Sequence, residues 1–279
     1  MPQAQTLQPQ SVQNTMLLPL WGRATVSRLY PGLLYDAEAI RIMGQLPYDF
    51  EAVAKSFGEY GMLNFAIRAH QFDDAIGRYL TNHPEATVVN IGAGMDTTFS
   101  RIDNGRVQWY DLDLPDAVEF RQRFIPEGSR NRCIAKSVFD YSWFDDIEYD
   151  TRRGALFISG GVFYYLDPAK IKELVSHMAE RFPGGLLVFD AETPLGISIA
   201  SRMVKKTGNQ GAEMLFSVKD PNAIKAWSPR IASVAATPYC QGIQRDKRWR
   251  LVTRLGMALG DLLRMIWIIS IRFKEVDEA

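Results

Sequence analysis

Gly92-Ala93-Gly94 and the acids Asp111 and Asp113 are the residues of this chain whose types and spacing could do chemistry together. Glycines at the end of an apolar run let a ligand approach the backbone, because no Cβ stands in the way. An acid about 20 residues further on is at the spacing that takes the hydroxyls of a ribose. The surrounding sequence, TVVNIGAGMDTTFSRIDNGRVQWYDLD over residues 87–113, supplies the matching elements. A strand at Val88-Val89-Asn90-Ile91 runs into the glycine turn. A helix follows, with Asp96 as its N-cap and Phe99 and Ile102 behind it. Asp103-Asn104-Gly105 turns into a second strand, 107–112, with an acidic tip. A ribose-bearing ligand is the first expectation. A dinucleotide fingerprint wants a third glycine at position 97, where this chain has Thr97, and that argues against NAD or FAD. A nucleoside without phosphates, such as S-adenosylmethionine, needs no such cradle. The bland alternative is that Gly-x-Gly marks an ordinary turn of an α/β protein.

Composition narrows the class. The 279 residues suffice for one large domain or two small ones. Apolar residues make up 47% and charged residues 23%, ordinary values for a globular protein. Formal net charge is zero, so there is no electrostatic case for nucleic acid. Cys133 and Cys240 make no disulfide framework, and free buried thiols are expected. His70, His83 and His177 are scattered, and no Cys/His cluster has metal-ligand spacing. The first residues, MPQAQTLQPQSVQNT, hold no basic segment followed by an apolar one, which argues against a signal peptide. The apolar run 265–271 is far too short to span a bilayer. The expectation is a cytoplasmic, reduced protein with no nucleic-acid or membrane partner.

The elements that must position the glycines and acids read as follows. Residues 1–14 form a polar, disordered tail. Helices at 16–30, 36–46 (capped by Asp36), 50–55 and 59–80 make a helical preface over 15–86, the last with Leu63, Ile67, Ala75, Ile76 and Leu80 near helical spacing. From 87 to 192 strands and helices alternate. A helix at 116–124 leads to a third strand, 131–138, and a loop at 140–143. The fourth strand, 155–158, enters Ser159-Gly160-Gly161. Asp167-Pro168 starts a helix to 182, before a fifth strand at 186–190. Each strand ends in Gly, Asp or Ser, and ligands of an open parallel sheet sit at the carboxyl ends of its strands. Residues 193–263 read as a helical insert covering that rim, with helices at 197–206, 220–227 and 248–263, a turn at 207–211 and irregular chain at 239–245. A terminal strand at 265–273, within 264–279, is expected at the sheet edge. With no internal repeat or long linker, one α/β domain with helical additions is the simplest organisation.

Six segments in order carry a family resemblance: LLPLWGRA (17–24), FAIRAHQFDDAI (65–76), VVNIGAGMDTTFSRI (88–102), WYDLDLP (109–115), ISGGVFYYL (158–166) and KRWRLVTRL (247–255). The chain resembles the leucine carboxyl methyltransferase superfamily, within it the bacterial branch of polyketide-type O-methyltransferases, over nearly its whole length from residue 15. The resemblance implies a Rossmann-like class I methyltransferase fold, a mostly parallel sheet of seven strands binding S-adenosylmethionine. It implies Arg68, on the helix before strand one, as the fork for the cofactor's carboxylate. It implies Gly92, with Ala93 and Gly94, under the cofactor, and Asp113, followed by Leu114, on the ribose, with Asp111 as second choice. Ser137 and Val138 fall where the family's third strand meets adenine. Arg23 falls near a basic residue that closes over the methionine part. One position departs: after strand four the family carries an acid for the cofactor's amino group, and this chain has Gly160. The amino group must then find the Ser159 hydroxyl, a backbone carbonyl or water, which also argues against a protein-carboxyl substrate.

Methyl transfer from a sulfonium is an in-line displacement, for which the protein supplies alignment and a dry site. A carboxylate acceptor needs no base, whereas a phenol or alcohol gains from one. No histidine lies on a predicted strand tip. Tyr164 and Tyr165, just beyond strand four, are expected to line the acceptor pocket, with Trp227, Tyr239 and Trp249 as aromatic walls, although plain packing explains such residues too. The expected activity is O-methylation of a small-molecule hydroxyl or carboxyl group in polyketide-like secondary metabolism. A non-catalytic relative and an NAD-dependent oxidoreductase are the alternatives; Gly160 supports the first and Thr97 counts against the second.

Overall fold

The first strand, β1 (Thr87–Ile91), is buried at every position, as a strand covered on both faces must be. A computed structural model describes residues 12–199 and 214–276. In it β1 pairs in parallel with β2 (Gln108–Asp113) on one side and β4 (Ala155–Ser159) on the other. β3 (Asn131–Ala135) adds to β2 and β5 (Leu186–Glu192) to β4, also in parallel. β7 (Ile266–Phe273) then pairs antiparallel to β5, and β6 (Ile231–Pro238) antiparallel to β7. The sheet has seven strands in the order β3-β2-β1-β4-β5-β7-β6.

Alternation along the strands divides the core between two faces. Val89, Phe157 and Phe189 pack with Leu174, Met178 and Phe182 at α6 (Pro168–Arg181). Val88, Leu156, Ile158 and Val188 pack on the other face with Leu63, Ile67, Phe72 and Ile76 of α3 (Phe50–Asn82). Outside α3 lie α1 (Val12–Leu29) and α2 (Ala37–Met43). Leu17, Leu20 and Ala24 of α1 share a cluster with Ile42, with Met95 of the glycine loop and with Phe120 of α5 (Pro115–Gln122). The preface therefore roofs the tip of β1.

Several boundaries differ from the expectation. α1 begins at Val12, so 12–14 are helical, while residues 1–11 lie outside the described residues. The helices expected at 50–55 and 59–80 run end to end as α3, and the break between them falls as expected, at Gly58, where φ is +58°. α4 (Thr98–Ile102) has Thr97 at its N-cap position, but the side chain that accepts from the first turn is Asp96, bonded by Thr98 N at 2.7 Å. β3 stops at Ala135, leaving Ser137 and Val138 in the loop beyond it. The loop at 140–143 is a 3₁₀ turn, Tyr141–Asp145. The last strand is not at the edge: β7 enters between β5 and β6, its Ile269, Ile271 and Phe273 fully buried. The edge belongs to β6, which the sequence reading leaves unassigned; its burial alternates and its sequence, IASVAATP, is rich in small residues. Around β6 the insert carries a 3₁₀ turn, Pro221–Trp227, and α7 (Leu251–Leu262). A helical stretch opens at 194–199; the remainder of the helix expected to 206, and the turn at 207–211, lie outside the described residues. No helix among the described residues is long and apolar enough to cross a membrane.

Candidate active site

A cavity of about 750 Å³ lies over the carboxyl ends of the parallel strands. That is within the range of roughly 300–1,000 Å³ usual for small-molecule sites. The sequence-predicted residues Arg23, Arg68, Gly92, Ala93, Gly94, Asp113, Leu114, Ser137, Val138, Gly160, Tyr164 and Tyr165 all line it. Two candidates do not. Ser159 is fully buried at the end of β4, off the wall, so its hydroxyl is no contact for a ligand. Asp111 is fully buried and paired with Arg121 at 2.6 Å, and it accepts from Asn90 and from the indole of Trp109. Of the three aromatic walls expected from the insert, Tyr239 alone reaches the cavity; Trp249 and Trp227 pack in the two sheet cores.

At one end stands Asp113. Gly92 and Gly94 turn the chain at φ +69° and +45°, conformations that suit glycine. The Gly92 and Ala93 amides both donate to Leu112 O, at 2.7 and 3.2 Å, closing the loop on β2. Gly94 N donates to Asp113 Oδ2 and Leu114 N to Oδ1, each at 2.7 Å. Burial nonetheless raises the Asp113 pKa, against the lowering by these two amides. A carboxylate has about four lone-pair sites, so acceptor capacity remains for hydroxyls in the cavity.

Toward β4 and β5 stands a second cluster, built around a residue the sequence reading passes over. Asp190 of β5 is buried and pairs with Arg68 Nε at 3.0 Å. It accepts from Tyr164 Oη at 2.8 Å and from Gly161 N at 2.6 Å. Burial works against the Arg68 charge, but Asp190 outweighs it and raises the pKa, so the guanidinium stays ionised. Its Nη1 lies against Gly161, φ +76°, where a Cβ would collide with it. Tyr164 is pushed well above its ordinary pKa, first by burial and then by Asp190, so it is a neutral donor and not a base. Glu192, two residues beyond Asp190 on the same face, lines the cavity with its Oε2 buried and unpartnered. Acids at alternate positions closing a buried strand, D-A-E, are the signal that could have revealed both.

Arg23 reaches the wall, but its charge is committed elsewhere: Nε pairs with Asp36 at 2.9 Å and Nη2 donates to Met95 O at 2.6 Å. Asp36 caps α2 through Ala39 N at 2.9 Å and also holds Arg101 Nη1 at 2.7 Å and the Thr97 hydroxyl at 2.6 Å. Burial would raise the Asp36 pKa, and the two arginines with Thr97 bring it below the ordinary value. Thr97, which fills the third-glycine position, is thus a tie between glycine loop and preface.

A buried cation beside the tips of β4 and β5 and a carboxylate at the tip of β2, both lining a largely apolar cavity, suit a nucleoside that carries an amino-acid tail. No group of three or more His, Cys, Asp or Glu among the described residues could hold a metal ion.

Comparison with known proteins agrees with this geometry. The profile of the leucine carboxyl methyltransferase family matches residues 36–179. The chain is 28% identical over 253 residues, 88% of its length and 91% of the relative's, to the tetracenomycin polyketide synthesis O-methyltransferase TcmP of Streptomyces glaucescens. It is 22% identical to the S-adenosyl-L-methionine-dependent methyltransferase dpfgK of Gibberella zeae, over 78% of each chain. Among solved structures, a Thermobifida fusca protein proposed to be a methyltransferase superposes with a TM-score of 0.56 at 16% identity, over 96% of this chain and all of that one, which shows the shared fold. The chain belongs to the leucine carboxyl methyltransferase family, a family of S-adenosylmethionine-dependent methyltransferases, and S-adenosylmethionine is its cofactor.

Proposed function

We propose that the protein is an O-methyltransferase acting on a small-molecule hydroxyl or carboxyl group in polyketide-like secondary metabolism, in the cytoplasm. The observation that carries the site is the pairing of Arg68, held by Asp190, with Asp113, held by Gly94 N and Leu114 N, across one cavity. In this reading Arg68 holds the cofactor's carboxylate and Asp113 its ribose hydroxyls. Gly92, Ala93 and Gly94 let it lie close to β1, and Ser137 and Val138 flank the adenine. Arg23 acts indirectly, by fixing α1 and α2 over the glycine loop. The cofactor supplies an electrophilic methyl group, which a carboxylate or phenolate oxygen attacks without further activation. What the chain adds is alignment and exclusion of water. Tyr164 and Tyr165 wall the acceptor end, and Tyr239, Met214, Met257 and Met265 cover it. TcmP, a polyketide O-methyltransferase by name, supports the acceptor class.

The test is calorimetric titration with S-adenosylhomocysteine of the unmodified chain and of Asp113→Ala. Loss of charge-assisted hydrogen bonds of about 1.5–3 kcal/mol each predicts an affinity at least about 100-fold weaker in the variant. Asp113→Asn, which keeps the shape, checks that the loop still folds. Unchanged affinity in Asp113→Ala would remove the assignment. Transfer of a labelled methyl group to a panel of phenols and aromatic acids then tests the acceptor class.

A further inference from the structure

Glu192 ends β5 inside the cavity, and nothing in the cofactor's recognition as read above uses it. Only 8% of its surface is exposed, and its Oε2 is buried without a partner. A buried carboxylate oxygen with no donor is costly unless a ligand or a proton satisfies it. The position identifies which. Along the sheet, β5 is separated from β1 by β4 and from β2 by β4 and β1. At about 4.8 Å per strand, Glu192 is some 10 Å to the side of the glycine loop and further from Asp113. Along the strand it stands two residues, about 6–7 Å, beyond Asp190, which marks the level of Arg68 and Gly161. A Cβ at Gly196, at the start of the cover, would approach Glu192 Cβ to 3.2 Å and Oε2 to 3.4 Å, so the side chain lies against that segment. The group therefore belongs to the acceptor half of the cavity.

Resting on the methyltransferase reading above, we propose that Glu192 is the proton acceptor for the acceptor's hydroxyl, and that the acceptor is a phenol and not a carboxylic acid. The proton leaves the phenol oxygen for a Glu192 carboxylate oxygen; the O–H electron pair stays on the phenol oxygen as the phenolate, and the glutamate becomes the neutral acid. A carboxylate acceptor brings no proton to take up and would set a second anion against Glu192.

The surroundings suit this exchange. From its own strand Glu192 faces Asp190; from α3, Arg68 and Tyr60; from the turn after β4, Tyr164 and Tyr165. The helical stretch 194–199 and the start of β7, Met265-Ile266, bring no titratable side chain. Burial first, and then the Asp190 charge, push the Glu192 carboxyl up to about 7, against the opposing pull of Arg68. A general base works best with a pKa near the operating pH. Tyr164 is unsuited to the part, because Asp190 already takes its hydroxyl proton in a hydrogen bond.

The experiment compares the unmodified chain with Glu192→Gln. The glutamate Cδ carbons are ¹³C-labelled and titrated by NMR in the presence of S-adenosylhomocysteine, and the difference between the two proteins assigns the residue. The expected result is a midpoint between about pH 6 and 8, S-adenosylhomocysteine affinity within about two-fold in the variant, and phenol methylation slowed about 100-fold or more. A midpoint below about 5, or methylation of benzoates but not of phenols, overturns the proposal. So does a ten-fold loss of S-adenosylhomocysteine affinity in Glu192→Gln, which would make Glu192 the acceptor for the cofactor's amino group. Failure of the unmodified chain to bind S-adenosylhomocysteine strikes the reading of the site itself and is distinguished from these outcomes.

Discussion

Asp190 receives Arg68, the Tyr164 hydroxyl and Gly161 N on its two oxygens, and so sets the one buried cation of this cluster in place. Asp113 stood out in the sequence because it ends a strand at a fixed spacing from the glycine turn, and Arg68 only through the family resemblance. Asp190 and Glu192 were not, since acids at a strand end also read as simple terminators; only the fold turns both toward α3. Gly161 is bound to the same cluster: with φ +76° and Arg68 against its α-carbon, Gly161→Ala is predicted to weaken S-adenosylhomocysteine binding at least about ten-fold, read by calorimetry. Glu192 makes a prediction in pH. Its folded pKa of about 7 lies above the ordinary 4.5, so the folded state holds the proton more tightly than the unfolded chain. Its contribution is fully present below about pH 4.5 and is lost as pH rises through about 7, a change on the order of 3 kcal/mol. Glu192→Gln, which does not ionise, should therefore gain on the unmodified chain by up to about that amount across this window, measured by urea denaturation. Parallel pH profiles would count against the burial and charge assigned to this carboxyl.

α1, α2 and α4 are joined to the glycine loop by one carboxylate. Asp36 caps α2, pairs with Arg23 of α1 and Arg101 of α4, and accepts from Thr97. Arg101 is held on its other side by Asp73 of α3, at 2.6 and 2.8 Å. Removing one member of a buried charge network leaves the others uncompensated, which costs roughly 3–5 kcal/mol. Asp36→Asn is predicted to lose about that much in urea denaturation at neutral pH, and a loss below about 1 kcal/mol would mean the network is dispensable. The helix cap at Asp36 was readable from sequence, but its partners were not, because they stand 13 to 65 positions away on other elements. Element boundaries show the same division. β1 and β5 declared themselves as continuous apolar runs, whereas β6 hid in IASVAATP, whose small side chains carry a weak strand signal. The place of β7 between β5 and β6 is a matter of pairing, and no local pattern encodes it.

Among the described residues the sheet has the class I methyltransferase fold, and its strand tips, preface and insert line a shared cavity. The alternation of strands and helices was legible from residues 87 to 190, and the cofactor from the family resemblance carried by the glycine turn, the acidic strand tip and the preceding arginine, whereas the sheet order was not. Of the proposed acceptor end, Tyr164 and Tyr239 were expected from the sequence and line the cavity, but Glu192 was not, because it comes from a third segment that no motif ties to them. A cofactor bound by the folded chain alone must also stabilise it, by about 2.7 kcal/mol at 100 times the dissociation constant. On the proposed reading this cavity takes S-adenosylmethionine between Arg68 and Asp113 and does not take a dinucleotide. Calorimetric titration of the unmodified chain with S-adenosylhomocysteine, with NADH as control, tests it most directly. Saturable one-site binding of the first and none of the second is expected; binding of NADH, or of neither, would overturn the assignment.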